Sequence, residues 1–126
     1  MTVEGRWRVM VVDDYAAMRE TIQQVLATDP HFQVVAEAAS GEEAIQITGQ
    51  TPLDLVLLDM RLPGMNGLAA AEAIKVIQPE AVILILSSDW SPAYERRAGA
   101  IGVQARLAKQ SLSLSEIYRA LGRDES

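Results

Sequence analysis

Five short apolar runs recur along the chain, at residues 7–12, 33–38, 55–58, 81–86 and 103–108, and between them the apolar positions widen to steps of three and four. A brief continuous run bounded by turn residues predicts a strand buried on both faces, whereas the wider spacing predicts an amphipathic helix. Met18, Ile22, Val25 and Leu26 give a helix over residues 15–28, closed by Pro30. Ser40 and Glu43, in capping-box spacing, open a second helix that runs to about residue 49. Asn66 is placed to cap a third, through residue 77, with Leu68, Ala71, Ile74 and Ile77 facing inward and Pro79 beyond its end. Residues 91–99 predict a fourth helix with few large apolar side chains apart from Tyr94, hence weak packing and mobility. Ser113 with Glu116, followed by the stripe Leu114, Ile117, Tyr118 and Leu121, predicts the last.

Strict alternation of apolar strands and helices implies an α/β fold: a single (βα)5 unit, doubly wound on a parallel five-stranded sheet, with right-handed crossovers. The fifth strand is the poorest, being interrupted by Gln104 and Arg106. At 126 residues and 49% hydrophobic content the chain suits one domain, 1–126, with a core from about residue 6 to 122 and loose ends. No linker or repeat interrupts it. A net charge of -6 argues against direct nucleic acid binding by this segment, because phosphate contacts need clustered Lys and Arg. The absence of cysteine removes disulfide and thiolate chemistry. The longest apolar runs fall far short of the roughly 20 residues of a membrane span, and no signal peptide is visible. The expectation is a cytoplasmic protein.

The chemistry collects at strand ends. Residues 7–12 run into Asp13 and Asp14, residues 55–58 into Asp59, residues 81–86 into Ser87, and the fifth run into Lys109. In a parallel sheet these ends share one edge, where ligands of open α/β folds bind. Two carboxylates about 4 Å apart repel by roughly 4 kcal/mol at an effective dielectric near 20. Something positive belongs there. A hard, oxygen-seeking cation such as Mg2+ suits the acids, and Lys109 adds a further positive charge. A phosphoryl group fits the same setting, its oxygens neutralised by metal and ammonium, Ser87 donating a hydrogen bond and Asp59 acting as nucleophile. Taken singly, each residue has a plainer reading as a helix-start acid, a turn hydroxyl or a surface amine. Their joint placement is what points to a site.

With VVDD at residues 11–14, LLDMRLPGMNG around Asp59, Ser87 and Lys109 in register, the chain resembles a receiver domain of a two-component response regulator over nearly its whole length. The stretch DPHFQVVAEAASGEEAI, residues 29–45, is most similar to receivers that precede a LuxR-type helix-turn-helix. The resemblance implies that a sensor histidine kinase passes phosphate to Asp59 and that Mg2+ is held by Asp14, Asp59 and the backbone carbonyl of Arg61, with Asp13 acting through water. It implies further that Ser87 and Lys109 turn toward the phosphate and rearrange the face of the fourth helix, fifth strand and fifth helix, to control a DNA-binding output domain outside this chain. Such a domain catalyses its own phosphorylation and dephosphorylation but is not an enzyme with a separate substrate.

Departures from the family pattern bear on the relay. Position 106, usually Tyr or Phe, is Arg106, expected to stay outward or to pair with an acid, since a guanidinium is not buried without a partner. Lys109 is followed by Gln110 rather than Pro, so a trans bond is expected. Tyr15 stands where relatives often carry His. Arg61 and Asp89, each two residues beyond a site residue, are placed to pair across the mouth and to tune phosphoryl lifetime. His31, the only histidine, reads as a surface residue without a phosphorelay role, and Trp90 and Tyr94 as packing residues.

Arg106 also makes credible an atypical receiver acting as a phosphorylation-independent interaction module. A haloacid-dehalogenase-type phosphohydrolase would need a second acid where Arg61 stands, and a flavin-binding domain would need a Gly- or Ser/Thr-rich loop where Asp13 and Asp14 lie. A homodimer through the Leu114 helix is compatible with the pattern.

Overall fold

The structure, a computed structural model, describes residues 5–122. The expected loose ends before residue 5 and after residue 122 lie outside the described residues. Five strands, β1 (Trp7–Val12), β2 (Phe32–Ala38), β3 (Leu55–Asp59), β4 (Val82–Leu86) and β5 (Ala105–Leu107), form one parallel sheet in the order β2-β1-β3-β4-β5. Helices α1 (Ala16–Ala27), α2 (Gly41–Thr48), α3 (Gly67–Ile77), α4 (Pro92–Ile101) and α5 (Leu114–Ala120) alternate with them. The alternation read from the sequence is therefore the observed architecture.

Central β3 is buried along its whole length, and its period of two divides the core. Val56 and Leu58 pack with Leu68, Ala71 and Ile74 of α3 and with Ala98 of α4, while Leu55 and Leu57 pack with Ile22 and Leu26 of α1 and with Ile117 and Tyr118 of α5. The caps are those expected. Ser40, Asn66 and Ser113 accept from the backbone N–H of Glu43, Ala69 and Glu116. At α2 the Glu43 carboxylate reaches back to the N–H of Ala39, one residue before the cap.

Two details differ from the expectation and a third adds to it. Ile77 is not inward but 43% exposed, because α3 reaches its next inward position four residues after Ile74 and not three. Gln78 takes that place, accepting from Leu53 N and donating to the carbonyls of Thr48 and Thr51, which ties down the chain entering β3. Strand β5 has only three residues: Arg106 turns outward, and Gln104 donates instead to the Ala120 carbonyl of α5. His31 is exposed as expected but not isolated. Its ring nitrogen lies 2.8 Å from the Asp29 carboxylate, which also accepts from the Tyr118 hydroxyl at 2.5 Å, tying the α1–β2 loop to α5. Burial pushes the Asp29 carboxyl up, but the bonds from Tyr118 and His31 outweigh it and hold its pKa below the ordinary carboxylate value.

Helix α4 buries only Ala98 and ends at Gly102, whose φ of +99° is the left-handed conformation glycine adopts freely. Gly67 is needed for a different reason: a Cβ there would lie 2.5 Å from the Asp59 carbonyl oxygen and 2.8 Å from Met60 Cα. Its absence lets α3 start directly against the end of β3.

Paired substitutions test this packing. Gly99→Ala, in the open middle of α4 where a Cβ meets nothing within 4 Å, gains helix propensity and is expected to stabilise by about 0.5–1 kcal/mol. Gly67→Ala gains the same propensity but pushes into backbone, and is expected to destabilise by about 1–3 kcal/mol in urea unfolding. A Gly67→Ala protein as stable as the parent would contradict the packing described.

Candidate functional site

Strand register alone brings the chemistry together. Val12 pairs with Leu58, Asp59 with Leu86 and Leu86 with Leu107, so Asp13, Asp59, Ser87 and Ala108 emerge side by side at the carboxyl edge of the sheet. Lys109 follows at the start of a 3-10 turn, Lys109–Ser111, and its peptide bond to Gln110 is trans. A cleft of about 400 Å³ opens over these ends, lined by Asp13, Asp14, Asp59, Arg61, Ser87 and Lys109 together with Tyr15 and Met18.

Asp13 is wholly buried and Asp59 nearly so, whereas Asp14 is exposed. Lys109 Nζ stands 3.1 Å from Asp13 Oδ2 and 3.2 Å from Asp59 Oδ2, bridging the two. The remaining oxygens use local backbone: Asp13 Oδ1 accepts from Tyr15 N at 2.9 Å and Asp59 Oδ1 from Arg61 N at 3.1 Å. Asp13 Oδ2 is buried and accepts no aligned hydrogen bond despite the nearby ammonium. One oxygen from each of Asp13, Asp14 and Asp59 falls within 4.8 Å of the others. Three carboxylates facing one ammonium leave the pocket net negative, and an under-coordinated oxygen donor set of this kind could hold a hard divalent cation.

The electrostatics follow from burial. Desolvation raises the Asp59 pKa, the Asp13 charge raises it further, and the Arg61 N–H and Lys109 offset only part. For Lys109 burial alone would lower the pKa, but the close carboxylates of Asp13 and Asp59 outweigh it and the ammonium is held protonated. Ser87 Oγ accepts from Asp89 N at 3.1 Å and donates to the Asp89 carbonyl, closing a tight turn beneath the cleft.

At the mouth, Arg61 Nη2 meets Asp89 Oδ2 at 2.5 Å, the pairing the sequence suggested. Both side chains are more than two-thirds exposed, so the contact adds little to stability. Arg106 stays outward as expected, but its neighbour is aromatic: the guanidinium carbon lies 6.0 Å from the Trp90 ring centre. A cation–π contact at such a site is worth about 0.5–1 kcal/mol. Trp90 packs partly against the core under α4, with Tyr94 at 5.9 Å. Tyr15 and Met18 were missed as lining residues; the first turn after a strand-end acid was the signal that they overlook the cleft. Among the described residues, no helix is long and apolar enough to cross a membrane.

The family model described as response regulator receiver domain matches residues 9–121. The nitrate/nitrite response regulator protein NarP of Escherichia coli is 40% identical over 81 residues, which are 64% of this chain and 38% of that protein. The receiver domain of the response regulator NarL from Mycobacterium tuberculosis superposes with a TM-score of 0.82 at 30% identity, covering 94% of this chain and 98% of that one. A LuxR-family two-component response regulator from Aurantimonas gives a TM-score of 0.81 at 29% identity, covering 94% of this chain and 88% of that chain. The chain spans 38% to 45% of the length of the first curated relatives it matches. With the match running from β1 through α5, and LuxR-family regulators among its relatives, the chain belongs to the receiver domains of two-component response regulators.

Proposed function

We propose that Asp59 is the phosphoacceptor of a Mg2+-dependent signalling domain, taking its phosphoryl group from a sensor histidine kinase. The observation that carries this reading is the Lys109 ammonium bridging two buried carboxylates, Asp13 and Asp59, beside a third acid. A carboxylate oxygen of Asp59 attacks phosphorus; the O–P bond forms as the N–P bond of phosphohistidine breaks, and the imidazole leaves with a proton. Asp14, Asp59 and the Arg61 carbonyl would hold the Mg2+, with Asp13 reaching it through water; when bound it neutralises phosphoryl oxygens. Lys109 would contribute its charge and Ser87 its hydroxyl proton to the phosphoryl oxygens. Reversal by water breaks the same O–P bond and releases inorganic phosphate. The consequence of occupancy is a changed face at α4, β5 and α5, read by a DNA-binding output domain or partner located outside this chain. Arg106 lies outside the cleft and so bears on that relay, not on the acceptor chemistry.

Incubation with acetyl phosphate and Mg2+ is expected to add one phosphoryl group, located on Asp59 by intact-mass and peptide mass spectrometry, and Asp59→Asn is expected to add none. Unmodified parent protein, or modification elsewhere that survives Asp59→Asn, would overturn the assignment.

The raised Asp59 pKa makes a second prediction. An acid whose folded pKa exceeds its unfolded value destabilises the fold once ionised, so this contribution worsens as pH rises through the folded pKa. In EDTA, Asp59→Asn is therefore expected to be more stable than the parent at neutral pH, with the difference shrinking as pH falls and Asp59 takes up its proton. Mg2+ at a hundredfold excess over its Kd should stabilise the parent by about 2.7 kcal/mol, and Asp14→Ala should lose that gain. An Asp59→Asn protein that is less stable in EDTA at neutral pH would refute this.

The pair Arg61–Asp89 spans the mouth, where hydrolytic water must enter. Arg61→Ala and Asp89→Ala are expected to shorten the phosphoryl lifetime several-fold, measured by loss of phosphate after donor removal. Unchanged rates in both variants would show the pair to be a solvated surface contact.

A further inference from the structure

We propose that Trp90, with Arg106 and Tyr94 set against it, is the element that carries occupancy of the Asp59 pocket to the outer face of α4 and β5 in this chain. The inference rests on the acceptor reading of Asp59. It begins with the Ser87 hydroxyl, which has one proton and spends it on the Asp89 carbonyl while accepting from the Asp89 N–H. A phosphoryl oxygen on Asp59 is a charged acceptor and the stronger competitor for that proton. Once the proton turns to the phosphoryl group, the Ser87–Asp89 turn loses one of its two closures. The next residue along the chain is Trp90.

Trp90 joins three parts of the structure. Its ring packs partly against the core beneath α4, its indole N–H donates to Glu95, and Tyr94 lies 5.9 Å away at an interplanar angle of 51°. From β5, Arg106 places its guanidinium carbon 6.0 Å from the indole centre. Arg106 pairs in register with Ile85, which is fully buried, so an inward swing would carry its charge toward apolar core. Burying a guanidinium in apolar surroundings is costly, so on this reading residue 106 keeps its place against the indole at the surface. The parts that give way are at hand: α4 buries only Ala98, and Ser87 and Tyr94 line a common cleft of about 510 Å³ with Met60 and Met65. A turn that loosens by one hydrogen bond thus moves the indole, and the indole moves the start of α4 and the side chain of β5 together.

The sequence holds two tryptophans, Trp7 and Trp90, so Trp7→Phe isolates the emission of Trp90. In that protein, beryllofluoride with Mg2+ is titrated while binding is followed independently by fluorine NMR. The expected result is a shift and intensity change of Trp90 emission that saturates with binding, and that Arg106→Ala reduces while beryllofluoride still binds. Trp90→Phe in a chain retaining Trp7 guards against a folding defect in Trp7→Phe, and is expected to lose the signal seen with the parent. Bound beryllofluoride with unchanged Trp90 emission, or an Arg106→Ala response equal to that of the parent, overturns the relay and leaves the acceptor reading standing. Failure of beryllofluoride to bind the parent takes down both.

Discussion

The arrangement depends on one electrostatic constraint: two carboxylates buried against each other at the end of an apolar sheet, with a single ammonium between them. Asp13 and Asp59 would repel strongly in such surroundings, and Lys109 at 3.1 and 3.2 Å is what makes the apo pocket tolerable. The compensation is incomplete. Asp59 keeps a raised pKa, Asp13 keeps an oxygen without an aligned partner, and Asp14 adds a third negative charge at the rim. Unbalanced negative charge at one place favours a cation there; under the proposed function that is a divalent cation, which would also offset the charge an incoming phosphoryl group brings.

The sheet delivers this pocket because strand and helix take turns. Parallel order sends all the carboxyl ends to one edge, and register sets Asp13, Asp59 and Ser87 abreast. Gly67 lets α3 close against the Asp59 backbone, which accounts for the tight wall on that side. The opposite side is looser: α4 fully buries only Ala98, with Ile101 partly covered against the same core. The buried acids and the thinly packed helix are separated by the short turn from Ser87 to Trp90.

Most of the fold was legible because its signals are local. Apolar runs ending in acids, the caps Ser40, Asn66 and Ser113, and the thin apolar content of residues 91–99 all describe short segments. What escaped depends on how segments meet. Ile77 looked inward on a three-residue step, whereas the helix surface favours the four-residue step to Gln78, and only the neighbouring loop reveals why a glutamine suits that place. Arg106 was readable as outward, but its aromatic neighbour was not, since Trp90 is sixteen positions away and on another element. The Asp29 carboxylate shared by His31 and Tyr118 joins residues 89 apart and carries no sequence signature. Among site residues, the strand-end set was readable from position alone, while Tyr15 and Met18, at the cap and first turn of α1, line the cleft without a chemical signature of their own.

The central claim is that the buried acids and Lys109 form one pocket for a divalent cation and a phosphoryl group on Asp59. A crystal structure grown with Mg2+ and beryllofluoride tests it most directly. The account predicts beryllium bonded to an Asp59 carboxylate oxygen, the metal between Asp14, Asp59 and the Arg61 carbonyl, and Lys109 and Ser87 on the fluorines. A metal bound elsewhere, or an Asp59 carboxylate left bare in the presence of both ligands, would contradict it.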